Sequence, residues 1–129
     1  MDGKELDSDD RFLITPLAKI REGYPMAMVH VIAIITTKDG LREKVLEEFR
    51  KIIPLVLAED GCLEYGPAID ADRVGEVQTE FGNNTFVVVE KWESAAALRA
   101  HFKAPHMAEY ASKVRDMLAD RAIHVLSPA

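Results

Sequence analysis

Thr85-Phe86-Val87-Val88-Val89-Glu90-Lys91-Trp92 is the stretch most strongly marked as a β-strand in this 129-residue chain. β-Branched and aromatic residues fill it, and Gly82-Asn83-Asn84 supplies a turn just before it. Side chains on a strand alternate between faces, so Phe86, Val88, Glu90 and Trp92 point one way and Val87 and Val89 the other. Both sets contain large apolar residues. An antiparallel sheet with helices on one side and water on the other needs apolar residues at every second position only. A second run, Val29 to Thr37, repeats the anomaly, with Ile32 and Ile34 opposing Val31, Ala33 and Ile35. Helices of one chain cover one face, and a second copy of the sheet is the economical cover for the other. The strands therefore predict a homodimer with its two sheets face to face.

The remaining elements follow outward from these strands. Lys38-Asp39-Gly40 ends the first, and Leu41, Val45, Phe49, Ile52 and Val56 recur at helical steps, with Asp39 or Gly40 as the expected cap and Gly61 suited to a left-handed C-terminal turn. Cys62 to Ile69 reads as a second strand, where Pro67 favours an edge or a bulge. Residues 71 to 84 are a polar connection. Ser94 can cap a short helix through Phe102, and Pro105 can open another that extends to about Asp120. Ala122 to Leu126 closes as a last strand. The order β-α-β-β-α-β, with its second helix broken, predicts an α+β ferredoxin-like sandwich. Residues 27–129 form that single domain. Residues 1–26, acidic at the start and then sparsely apolar, are an N-terminal extension that is either a tail or a dimer arm.

Composition removes several function classes. The chain is 48% hydrophobic and 29% charged, as an ordinary globular domain is, and its net charge of −6 is opposite to the footprint of a nucleic-acid-binding protein. An anionic membrane surface would repel it, and its longest apolar run is too short to span a bilayer. One cysteine, Cys62, cannot form an internal disulfide, and the N-terminus is the reverse of a basic secretory signal, so a cytoplasmic protein is expected. There is no phosphate loop, paired-cysteine metal site, nucleophile elbow or dinucleotide fingerprint, so neither metal nor cofactor is predicted.

The chemistry-bearing residues gather near the third strand and the broken helix: Glu90, Trp92, His101, His106 and Tyr110, with Tyr65 on the adjoining strand. Each has a bland role open to it: Trp92 as core filler, the tyrosines as packing residues, and the histidines as solvated or helix-terminal groups. His101 and His106 are five apart with Pro105 between them, which does not make a metal-ligating helical pair. The alternative is that the break aims an imidazole, whose pKa suits a general base, into the mouth of a small apolar pocket.

Gly61-Cys62-Leu63-Glu64-Tyr65, Glu90-Lys91-Trp92-Glu93-Ser94, Leu98, His101 and Pro105-His106 together resemble the antibiotic biosynthesis monooxygenase domain, from about Val29 to Leu126. Lys51 to Val56 and Tyr65-Gly66-Pro67-Ala68 bring it nearest to the quinol monooxygenase branch. The resemblance implies a dimeric α/β-barrel and cofactor-independent oxidation of a quinol or related phenol by molecular oxygen. A deprotonated, electron-rich ring can itself give an electron to dioxygen, so the protein need only bind the ring, take a proton and exclude water. On this reading His101, His106 and Trp92 are catalytic, while Tyr65, Phe102, Glu90 and Tyr110 bind the small aromatic substrate. Haem-degrading relatives carry an asparagine on the first strand, where this chain has Ala33 among apolar neighbours, and haem cleavage is disfavoured. Two other classes stay open: an isomerase or degradation enzyme for a small sugar-derived signal, which would turn over without oxygen, and a non-catalytic, stress-responsive ligand-binding dimer.

Overall fold

The computed structural model describes residues 27–129; the N-terminal extension lies outside the described residues. The chain runs β1 (Val29–Thr37), α1 (Arg42–Leu57), β2 (Cys62–Ala68), β3 (Thr85–Trp92), α2 (Ala95–Phe102), α3 (Pro105–Val114), a 3-10 turn (Arg115–Met117) and β4 (Leu118–Leu126). The four strands form one antiparallel sheet in the order β2-β3-β1-β4. This is the α+β ferredoxin-like arrangement that the element order predicts.

The alternation along β1 and β3 decides where the core sits. Val29, Val31, Ala33 and Ile35 of β1 and Phe86, Val88 and Trp92 of β3 are buried with Val45, Leu46, Phe49, Ile52 and Val56 of α1, Leu98 of α2 and Val114 of α3. All three helices thus lie on one face of the sheet. Ile32 and Ile34, paired with Val89 and Val87, stand half-buried on the opposite face. The two-sided apolar character read from the sequence is real.

Local signals hold in several places. Pro67 lies on β2, an edge strand, in register with Val88, and the strand's register shift falls earlier, between Cys62 and Glu64. Ser94 is the N-cap of α2, its hydroxyl accepting from the Ala97 N–H at 3.1 Å, and Pro105 occupies the first turn of α3. Gly61 takes φ +84°, and a β-carbon there would sit 2.7 Å from Ala97 Cβ, so β2 and α2 approach as they do only because the residue is glycine.

Two boundaries differ from expectation. The N-cap of α1 is Leu41, without a side-chain cap; Asp39 instead accepts from Asn84 Nδ2, and the Gly40 N–H donates to Asn84 Oδ1. These residues tie β1 to the turn before β3 and leave the helix start uncapped. The last helix ends at Val114, not near Asp120, and β4 begins at Leu118, not Ala122. The free edge of β1 pairs with the chain along its whole length, through a bulge at Thr36 and Thr37, and that pairing overrides the local preference of residues 118–121. Arg121 is thereby carried onto the helix-facing side of the sheet, opposite Ile35.

Candidate active site

Between the sheet and α2, α3 and the 3-10 turn lies a cavity of about 450 Å³, within the size range of small-molecule sites. Its floor is Ala33, Ile35, Val88 and Ile123, and most of the rest of its wall is apolar. No side chain among the described residues plugs the niche. Five residues picked out in the sequence reach its wall: Tyr65, Glu90, His101, Phe102 and Tyr110. Trp92 and His106 do not, and act on it only through other groups.

Trp92 is wholly buried, 0% exposed, behind the wall. Its indole N–H donates to Glu90 Oε1 at 2.9 Å, and its ring centroid lies 4.7 Å from that of His101. Strand alternation makes this contact: Glu90 and Trp92 are two residues apart and share a face. Glu90 is 6% exposed. Burial pushes its carboxyl up to about 7, with the Trp92 hydrogen bond opposing the rise and the Glu59 charge adding to it. Near neutral pH the group therefore interconverts between acid and carboxylate.

His101, 2% exposed, comes from the last turn of α2, and His106 from the first turn of α3. The break at Ala104-Pro105 turns both imidazoles toward one carboxylate that the sequence did not flag. Glu59 Oε2 lies 3.0 Å from His101 Nδ1 and 2.6 Å from His106 Nε2, and Glu59 Oε1 lies 3.2 Å from His101 Nδ1. An ionised carboxylate only accepts, so His101 carries its proton on Nδ1 and His106 on Nε2. The neutral form of His101 then has its lone pair on Nε2, an atom with no hydrogen-bond partner among the described residues. A signal for Glu59 existed. It follows the C-terminus of α1, where the helix dipole disfavours an acid and where no base stands in the last turn.

Aromatic packing fixes the remaining wall. Tyr65 stacks on Phe49 at 5.4 Å and meets His101 edge-on at 5.4 Å, and Tyr110 meets Phe49 edge-on at 5.8 Å. Burial, helped by the Glu90 charge at Tyr65 and the Glu48 charge at Tyr110, raises both phenols far above their ordinary range, so they remain protonated. Cys62 is likewise pushed up by burial to about 11, which makes it a poor nucleophile. Among the described residues no group of three or more His, Cys, Asp or Glu side chains is placed to hold a metal ion. The arrangement can therefore bind a flat apolar ring, accept a proton at an imidazole and offer neutral O–H donors.

The family model for antibiotic biosynthesis monooxygenases matches residues 28–113. The chain belongs to the antibiotic biosynthesis monooxygenase family. It is 39% identical over 103 residues to the Escherichia coli K12 protein named "Probable quinol monooxygenase YgiN", a match covering 78% of this chain and 98% of that one. Among solved structures it is similar to PA3566 of Pseudomonas aeruginosa (25% identity, TM-score 0.67, covering 83% of this chain and 99% of that one). It is also similar to Rv0793 of Mycobacterium tuberculosis (28% identity, TM-score 0.65, covering 79% and 95%). No helix among the described residues is long and apolar enough to cross a membrane.

In this family member the buried Glu90 makes stability depend on pH. Its folded-state pKa is raised above the ordinary 4.5 to about 7, so the native state holds a proton that the unfolded chain releases. The acid form favours folding below pH 4.5, and the advantage is lost as pH rises to about 7, a change on the order of 3 kcal/mol. Urea denaturation of the wild type and Glu90→Gln, run from pH 5 to 8, checks this. The wild type should lose stability relative to the variant across that range, and parallel curves would refute the assignment.

Proposed function

We propose that this family member is a cofactor-independent monooxygenase that oxidises a quinol or related small phenol with molecular oxygen, acting as a homodimer. The observation that carries the reading is His101 on the wall of an apolar, ring-sized cavity, with Nδ1 bound to Glu59 and Nε2 without a hydrogen-bond partner among the described residues. The name of the E. coli relative agrees with a quinol as substrate.

The chemistry asks little of such a site. His101 Nε2 takes the phenolic proton, and the resulting imidazolium is stabilised by the Glu59 carboxylate, as an acid oriented behind a histidine generally does. The phenolate gives an electron to dioxygen, and the two radicals combine at a ring carbon. Loss of water then leaves a hydroxyquinone, so quinol and dioxygen yield hydroxyquinone and water, with the quinol as its own reductant. Tyr65, Phe102 and Tyr110 hold the ring, and the neutral phenol groups donate hydrogen bonds to oxygen as charge develops there. His106 and Trp92 are positioning residues, His106 through Glu59 and Trp92 through Glu90 and the His101 ring. The apolar wall excludes the water that would quench the radicals.

Dimerisation follows from the far side of the sheet. Ile32, Ile34, Val87 and Val89 form a branched apolar centre there, and full burial of each is worth about 1.5–3 kcal/mol. Lys91 and Glu64, 3.7 Å apart at one end of this face, form a polar border.

Oxygen uptake with a reduced naphthoquinol in metal-free buffer should exceed autoxidation. His101→Ala should lower kcat/KM by about 10²- to 10⁴-fold, and Glu59→Gln should lower it less while leaving KM near the wild-type value. Uptake no faster than autoxidation across a quinol panel, or full activity in His101→Ala, would overturn the reading. Sedimentation at micromolar concentration should give twice the 14.4 kDa chain mass, and Val89→Asp should yield monomer. A folded wild-type monomer at that dilution would contradict the dimer.

A further inference from the structure

The cavity has a second polar end. Arg121 on β4 shares the helix-facing side of the sheet with Ile35 and Ile123, and Arg115 opens the 3-10 turn above it. Both line the cavity. Neither guanidinium makes an ion pair or hydrogen bond with any described residue, although Asp116 and Asp120 adjoin them in sequence. In a chain with 22 acidic and 16 basic residues, carboxylates are in surplus, yet these two exposed cations stand at the edge of an apolar pocket with no partner among the described residues.

Sheet register fixes how far they stand from the imidazole end. Glu90 pairs with Val31 and Arg121 with Ile35, so the two are separated by four residues along β1 and by two strand spacings across it. At ~3.3 Å per residue and ~4.8 Å per strand, their Cα atoms are roughly 16 Å apart. The floor between them is Val88, Ala33 and Ile123, all apolar. Side chains reaching inward from both ends leave room for a fused ring bearing a substituent.

We infer that Arg115 and Arg121 bind a carboxylate, and that the substrate class is an aromatic acid whose phenol or quinol ring lies over Ala33 and Val88 with its hydroxyl toward His101. This rests on the proposed oxygenase reading and narrows it. A guanidinium fork matches a planar carboxylate in two parallel hydrogen bonds, and at the edge of an apolar pocket such a pair is worth more than in open water. The acidic balance of the rest of the chain repels anions, which makes this the local exception. Charge at one end and proton removal at the other would also fix which ring carbon meets oxygen.

Binding can be separated from turnover with two ligands that differ only in the acid, 2-naphthol and 6-hydroxy-2-naphthoate, whose hydroxyl and carboxylate stand at opposite ends of the fused ring, measured by equilibrium dialysis. The acid should bind at least about tenfold more tightly, with a preference that falls as salt is raised. Arg115→Gln with Arg121→Gln should reduce the preference to less than about twofold, and Arg121→Lys, which keeps the charge without the fork, should fall between. If the double variant does not fold, the salt dependence and Arg121→Lys decide. Equal binding of the two ligands, binding of neither, or an undiminished preference in the double variant would overturn the inference. Tight, arginine-dependent binding of the acid with no oxygen uptake from its quinol would uphold the carboxylate site and overturn the oxygenase reading.

Discussion

A carboxylate held between two imidazoles organises this molecule. Glu59 follows the negative end of the α1 dipole, an unfavourable place for an anion, and His101 and His106 compensate by donating to it from α2 and α3. One side chain thereby joins all three helices at the edge of the sheet. The same contact determines which nitrogen of His101 carries its proton, and with that the face of the imidazole that can act as a base. Closure of the helical layer and, in the proposed reaction, activation of the site are one interaction.

Strand alternation supplies the other half of the arrangement. Phe86 and Trp92 must be buried for the core to form, and Glu90, sharing their face, is buried with them. The cost of its charge appears as a carboxyl pushed up to about 7, moderated by the indole N–H of Trp92. The two acids of the site consequently differ in kind. Glu59 has two imidazole donors and orients them, whereas Glu90 has one neutral donor and titrates. A pocket with a neutralisable acid and an imidazole at one side, the imidazole tied to Glu59 behind the wall, and two arginines at its far end carries its charged groups at its ends.

Much of this was legible in the chain. The limits of β1 and β3 coincide with the β-branched runs Val29–Thr37 and Thr85–Trp92, because pattern and turn residues agree there. Tyr65, Glu90, His101, Phe102 and Tyr110 were visible as a group because alternation and helix position both direct them to one space. Glu59 carried a local signal in its place after α1, but its partners were hidden because they are 42 and 47 residues away, and no local pattern encodes such a meeting. Arg121 was hidden for a different reason: its segment has no strand signature of its own and becomes β-structure by pairing with β1. The burial of Trp92 is the core-filler role open to it in the sequence, although its place behind the wall could not be read, since alternation gives a residue's face but not its depth.

The protonation state of His101 is the point on which the account turns, and long-range nitrogen–proton correlation NMR of the histidine rings reads it directly. The neutral His101 ring should be the Nδ1–H tautomer, with a bare Nε2, and Glu59→Gln should disturb that assignment. Neutral His101 found with its proton on Nε2 would contradict the account, because the nitrogen not held by Glu59 would then have no lone pair with which to take a proton.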